Sequence, residues 1–146
     1  MPPPAVAVVV GVFMWLTVRA LPALDFEFAG RRALAAALAL SGLLIAAIAF
    51  LQFRRAGTTP NPMRPHESAK LVASGVYRWS RNPMYLGDLL ILAGWALWLA
   101  NVAAFIGLAL FVAYINRFQI TLEERALEAR FGAAYVEYRR SARRWI

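Results

Sequence analysis

Apolar residues along this chain come in four runs, over about 5–21, 33–53, 85–100 and 102–118, with polar residues gathered between and after them. A hydrocarbon core takes ~20 residues of helix to cross, with ~17 as a lower limit, so each run is long enough or nearly so. The pattern predicts an all-α, polytopic membrane helix bundle of about four transmembrane helices. Almost nothing but Asn101 separates the third run from the fourth, which makes those two a tight helical hairpin. Gly87 and Gly94 stand one heptad apart in the third run, a spacing suited to close helix contact in lipid. The 146 residues amount to one domain.

Composition supports the membrane reading. The chain is 61% hydrophobic with a mean hydropathy of +0.54, above the usual apolar share of a soluble domain. Without cysteine there is no disulfide, no thiolate metal site and no thiol nucleophile. The single histidine, His66, has no metal-type ligands beside it, so no metal centre is expected. A net charge of +8 in so apolar a chain points to loops facing an anionic membrane surface rather than to nucleic acid. The first run has prolines at positions 2 to 4 and no basic residue ahead of it, which argues against a signal peptide. Of the 16 basic residues, Arg19, Arg31 and Arg32 lie between the first two runs, and the other 13 follow the second or the fourth. The positive-inside rule then assigns both termini, a loop over 54–84 and a tail over 119–146 to the cytoplasm.

Two polar blocks bracket the hairpin. The first, Gly75 to Asp88, sets Tyr77, Arg78, Arg81, Asn82 and Tyr85 at the start of the third run. Pro83 suits a first helical turn and Asn82 an N-cap. Asp88 shares a helical face with Tyr85, Leu92 and Trp95. An ionisable group at membrane depth faces a partner or a wet cavity, and Arg81 and Arg117 are the candidate partners. The alternative is an Asp88 at headgroup level acting on the helix dipole. In the second block Ile120, Glu124, Leu127 and Phe131 form one helical stripe with Glu123 beside it. Adjacent carboxylates on or next to an apolar face call for cationic or hydrogen-bonding partners. Past Gly132, Tyr135 and Tyr138 begin a second short basic helix running toward Trp145 and Ile146, expected at the cytoplasmic membrane surface. From the residues alone, a plain helix start with snorkelling arginines and an ordinary surface helix remain open beside a site.

The two blocks together carry a resemblance. Leu71-Val72-x-x-Gly75-x-Tyr77-x-x-x-Arg81-Asn82-Pro83-x-Tyr85-x-Gly87, followed by Glu123-Glu124-x-x-Leu127-x-x-x-Phe131-Gly132-x-x-Tyr135-x-x-Tyr138, is similar to the isoprenylcysteine carboxyl methyltransferases and the related phospholipid methyltransferases. It covers the chain from about Gly57 onward. The resemblance implies an integral-membrane enzyme that uses S-adenosylmethionine at the cytoplasmic end of its helices. The cofactor-binding candidates it implies are Leu71, Val72, Gly75, Tyr77, Asn82, Pro83, Tyr85, Glu123 and Glu124. The chain departs from the eukaryotic carboxyl methyltransferases in two places: Asn82 replaces a histidine, and Ala69 stands where a histidine often precedes the Leu-Val pair. Asn-Pro is the form of the phospholipid enzymes and of many bacterial relatives.

A cationic sulfonium donor suits carboxylates and aromatic faces. Methyl transfer is a displacement, so positioning supplies much of its acceleration. Arg81 and Arg117 are the catalytic candidates, to orient an anionic acceptor or to counter the glutamates. The expected function is a membrane methyltransferase acting on a lipidic or apolar small acceptor. Two other classes compete: a non-catalytic membrane protein binding anionic lipid or a partner, and a sterol-reductase-like enzyme, for which no Gly-rich phosphate loop is present.

Overall fold

The computed structural model describes residues 2–57 and 71–146. Most of the expected loop, with Arg64, His66 and Lys70, lies outside the described residues. Every regular element among the described residues is helical: α1 (Pro3–Ala20), α2 (Arg31–Arg55), α3 (Pro83–Leu99), α4 (Phe105–Ile115), α5 (Thr121–Phe131) and α6 (Ala133–Ser141). Pro3–Ala20, Arg31–Arg55 and the continuous run Val102–Phe131 are long and apolar enough to cross a membrane, and α3 is apolar and 17 residues long. Val8, Val12, Leu40, Leu43, Leu44, Ile106 and Leu110 stand exposed on the outside of the bundle, where lipid rather than water is their natural solvent.

The fourth run does not end near Phe118. A π-turn over Asn116–Ile120 joins α4 to α5 without a break, and Ile115 just before it and Ile120 at its end are fully buried. Such turns shift the helical register and are frequent at functional sites. The second change of direction is Gly132, whose φ of +54° turns the chain from α5 into α6.

Helices α2 and α3 run antiparallel with their backbones in contact. A Cβ built on Gly87 would lie 2.6 Å from the Gly42 carbonyl oxygen, and one on Gly94 would lie 2.6 Å from that of Ala35. The heptad pair seen in the sequence is therefore the helix–helix seam. Gly87→Ala should push these helices apart and destabilise the protein by ~1–3 kcal/mol, as overpacking does. Gly11→Ala, whose Cβ would meet Leu92 at 3.8 Å, should be silent in the same detergent melting curve.

The bundle's two ends differ in chemistry. At one end Arg31, only 6% exposed, donates to the Leu97 and Trp98 carbonyl oxygens and pairs with Glu27 at 3.0 Å. It caps the end of α3 rather than sitting free in a loop. Asn101, read from sequence as a bare hairpin tip, is completely buried there. Its Nδ2 donates to the Leu21 carbonyl oxygen (2.8 Å) and to Asp25 Oδ1 (2.7 Å), and its Oδ1 accepts from the Ala103 N–H (2.9 Å). The opposite end, where α2 finishes and α3 begins, gathers the polar residues of both sequence blocks.

Candidate functional site

The loop into α3 is fixed from below by α2. Gly75 adopts φ +60°, which favours glycine, and a Cβ there would fall 1.7 Å from Gln52 Nε2 and displace that side chain. Gln52 Oε1 in turn accepts from the Val76 N–H at 3.3 Å. Phe53 meets the Tyr77 ring edge-on at 5.1 Å. The Tyr138 hydroxyl donates to the Tyr77 carbonyl oxygen at 2.7 Å, tying α6 to the same loop. Val72, Tyr77, Tyr135, Tyr138 and Ala142 are buried around Ala49 in one apolar cluster, with Leu71, Met84, Leu127 and Phe131 packed against it. Leu71 and Val72 therefore act as wall rather than as exposed contacts. Tyr135 and Tyr138, at the start of the helix expected at the cytoplasmic membrane surface, are buried against protein.

The two glutamates have different partners. Glu123 accepts a hydrogen bond from the Tyr85 hydroxyl. Glu124, 13% exposed, is held by two arginines: Arg81 Nη2 at 2.9 Å, and Arg144 through Nη2 at 2.6 Å and Nε at 3.1 Å. Arg81 also donates through Nη1 to the carbonyl oxygens of Arg139 (2.8 Å) and Ala142 (3.1 Å). Its Nε and the Tyr77 hydroxyl are buried without a hydrogen-bond partner among the described residues. Buried polar atoms of this kind in a folded protein call for an explanation, such as a ligand that meets them. Burial pushes the Tyr77 phenol up, with Tyr138 and Glu123 adding to it, so the hydroxyl stays a donor at any physiological pH. Burial raises Tyr135 to about 12 and Tyr138 further still.

Asn82 precedes α3 but makes no side-chain cap bond. Its Nδ2 donates to the Arg144 carbonyl oxygen at 2.8 Å, while the Arg81 N–H donates to that of Arg143 at 2.8 Å. Trp145 Nε1 reaches Asn116 Oδ1, in the π-turn, at 3.1 Å. The basic tail is thus not helical to its end. It stops at Ser141, and residues 142–146 run back as a strap across the start of α3.

The structure brings together Tyr77, Arg81, Asn82, Pro83, Tyr85, Glu123 and Glu124, with Gly75, Leu71 and Val72 beneath them. It does not bring Arg117 there: that side chain is exposed and makes no hydrogen bond or ion pair among the described residues. Nor does either arginine meet Asp88, since Arg81 is committed to Glu124. Sequence reasoning missed Gln52, Arg144 and the Asn116–Trp145 pair. A signal existed for Gln52, a lone amide at the end of an apolar helix. None existed for Arg144, one of five arginines in the last 17 residues.

A family profile for phospholipid methyltransferase matches residues 30–134, most of the chain, with Arg81, Glu123 and Glu124 inside the match. The chain belongs to the phospholipid methyltransferase family. A member of this family is a membrane methyltransferase, in keeping with the helices long enough to cross a bilayer. A Haemophilus influenzae protein of uncharacterised function is 49% identical over 63 residues, 43% of this chain and the whole of that protein. Protein-S-isoprenylcysteine O-methyltransferase B of Arabidopsis thaliana is 38% identical over 76 residues, 52% of this chain and 39% of that one. The protein-S-isoprenylcysteine O-methyltransferase of Saccharomyces cerevisiae is 39% identical over 72 residues, 47% of this chain and 29% of its own. The chain thus spans well under half the length of these two methyltransferases. No solved structure matches it significantly.

Proposed function

We propose that this protein transfers a methyl group from S-adenosylmethionine to a lipidic or apolar small acceptor, at the bundle end that holds Glu123 and Glu124. The observation that carries this reading is the contrast between the carboxylates. Glu124 is neutralised by two arginines, whereas Glu123, partly buried, has a neutral hydroxyl as its partner. A partly buried carboxylate without a cationic partner is stabilised by a cationic ligand. When bound, S-adenosylmethionine supplies a methyl group on a positively charged sulfur. The residues present fit it: Glu123 offers the negative charge, Tyr77 an unused donor hydroxyl, and Arg81 Nε an unused donor beside them.

Tyr85 holds the Glu123 carboxylate in one orientation through its hydroxyl. Gln52 and Gly75 fix the loop that presents Tyr77, and α6 closes over that loop through Tyr138. Together these groups hold the site rigidly, which is what an in-line displacement asks of its protein. The acceptor reaches this end from the surrounding lipid, in keeping with the apolar outside of the helices. Incubating purified protein with methyl-labelled S-adenosylmethionine and host lipid extract should yield a labelled lipid-soluble product. A non-catalytic lipid-binding protein would yield no product and bind no donor.

The site faces the cytoplasm in this reading, because 13 of the 16 basic residues follow the second or the fourth apolar run in the sequence. A reporter fused after Ile146 should read cytoplasmic. One inserted at Gly30, exposed and with open space around it, should read the opposite side. Asn101 is unsuited to such an insertion because it is buried. Both reporters on one side would remove the assigned topology.

A further inference from the structure

The groups proposed to meet the donor are closed off. Tyr77 is 4% exposed and the Arg81 side chain 10%. The Tyr77 hydroxyl and Arg81 Nε, without partners among the described residues, present almost no surface to solvent. A ligand as large as S-adenosylmethionine reaches such atoms only after part of the protein has moved aside.

What lies over them is the strap of residues 142–146. The Ala142 carbonyl oxygen accepts from Arg81 Nη1, and that of Arg143 from the Arg81 N–H. Arg144 grips Glu124 with its side chain and Asn82 with its carbonyl oxygen. Trp145 packs on the cluster that contains Tyr85, Ile115 and Ile120, and its indole N–H reaches Asn116 in the π-turn. The strap therefore joins the start of α3 to the helical run that carries Glu123, which are the two sides of the site.

It is also the part best able to move. Helices α2 and α3 are in backbone contact, and α6 is pinned by the buried Tyr135 and Tyr138. Past Ala142 the chain is not helical, Arg143, Arg144 and Ile146 are exposed, and Trp145 is the partly buried apolar anchor. The rest of its hold is polar: hydrogen bonds, and an ion pair exposed on its arginine side. Water replaces such contacts at small net cost. Segments with few buried apolar contacts open locally while the remainder stays folded.

We infer that residues 142–146 are a gate on the donor site, swinging away about the end of α6 to admit S-adenosylmethionine and closing over it, with Trp145 as the latch. The inference rests on the proposed function and adds how the donor enters and leaves. Closure of this kind keeps water from the transferring group and commits the bound donor.

The chain has no cysteine, so one pair can be introduced alone. Ser80 and Arg143 bridge the loop into α3 and the strap, near enough for Ser80→Cys and Arg143→Cys to form a disulfide. Neither is among the residues proposed to meet the donor. Labelled S-adenosylmethionine is offered to this protein in detergent in two orders. Donor added before oxidation should be trapped, leaving at least tenfold more slowly than from the reduced form. Donor added after oxidation should enter at least tenfold more slowly, and reductant should restore both rates. A strap that only stabilised the fold would show no such dependence on order. Trp145→Phe keeps an aromatic ring but loses the bond to Asn116. It should speed entry and exit about fivefold, the factor one ordinary hydrogen bond is worth. Equal exchange rates with the bridge open and closed overturn the inference. So does an exit rate in Trp145→Phe no faster than in the unaltered chain. If the reduced protein binds no donor at all, the methyltransferase reading falls and the gate with it.

Discussion

Replacing Glu123 by glutamine is expected to lower affinity for S-adenosylmethionine about tenfold or more while barely moving the melting temperature. The asymmetry follows from what each glutamate touches. Glutamine at 123 still accepts from the Tyr85 hydroxyl through its amide oxygen, so the local geometry survives. What disappears is the negative charge, and a lost charge-assisted contact is worth ~1.5–3 kcal/mol. Glu124→Gln should do the reverse. Arg81 and Glu124 are 10% and 13% exposed, and breaking so enclosed a pair leaves an uncompensated arginine at a cost of about 3 kcal/mol or more. Tyr85→Phe should fall between them, keeping the charge but freeing the carboxylate to rotate. Equilibrium dialysis with labelled donor beside a detergent melting curve reads both quantities. A well-folded Glu123→Gln protein with unchanged donor affinity would return Glu123 to the role of an ordinary helix-surface residue.

What could be read from the sequence divides along a physical line. The four apolar runs were legible because bilayer thickness sets a length that hydropathy reveals directly, and the Gly87–Gly94 heptad because backbone contact in lipid requires small residues. The pairing of two polar blocks was legible as a pattern, but not the assignment of charges within it. Arg81 and Arg117 look equivalent as arginines flanking a membrane run. Only the fold shows one reaching Glu124 from 43 positions away and the other at the surface. The Tyr135–Tyr138 helix read as a membrane-surface element, because tyrosines facing lipid and tyrosines packed on protein leave the same pattern in a sequence. Asn101 read as a loop tip because its partners, Leu21 and Asp25, are 80 and 76 residues distant. Asn82 ahead of Pro83 had every mark of an N-cap, yet its amide serves a strap that no local rule anticipates.

That strap yields the second large effect. Cutting the chain after Ala142 should lower stability by roughly 3 kcal/mol, taking about 1 kcal/mol for each hydrogen bond lost. The bonds removed join the Arg81 N–H to Arg143, Asn82 to Arg144, and Trp145 to Asn116, and the Arg144–Glu124 pair, exposed on its arginine side, adds a smaller amount. Asn82→Ser alone should cost about 1 kcal/mol, because serine is too short to reach the Arg144 carbonyl. In the shortened chain the same substitution should cost almost nothing. That non-additivity is the signature of a shared partner, and an Asn82 acting as a simple helix cap would not show it. Arg81→Lys should stay damaging in both backgrounds, since lysine cannot reproduce the fork to Arg139, Ala142 and Glu124. Donor affinity measured far below the melting temperature should fall on shortening as well, because Glu124 and Arg81 would lose the contacts that orient them beside Glu123. A shortened, folded protein that binds S-adenosylmethionine as tightly as the whole chain would reduce the strap to a stabilising clasp with no part in shaping the site.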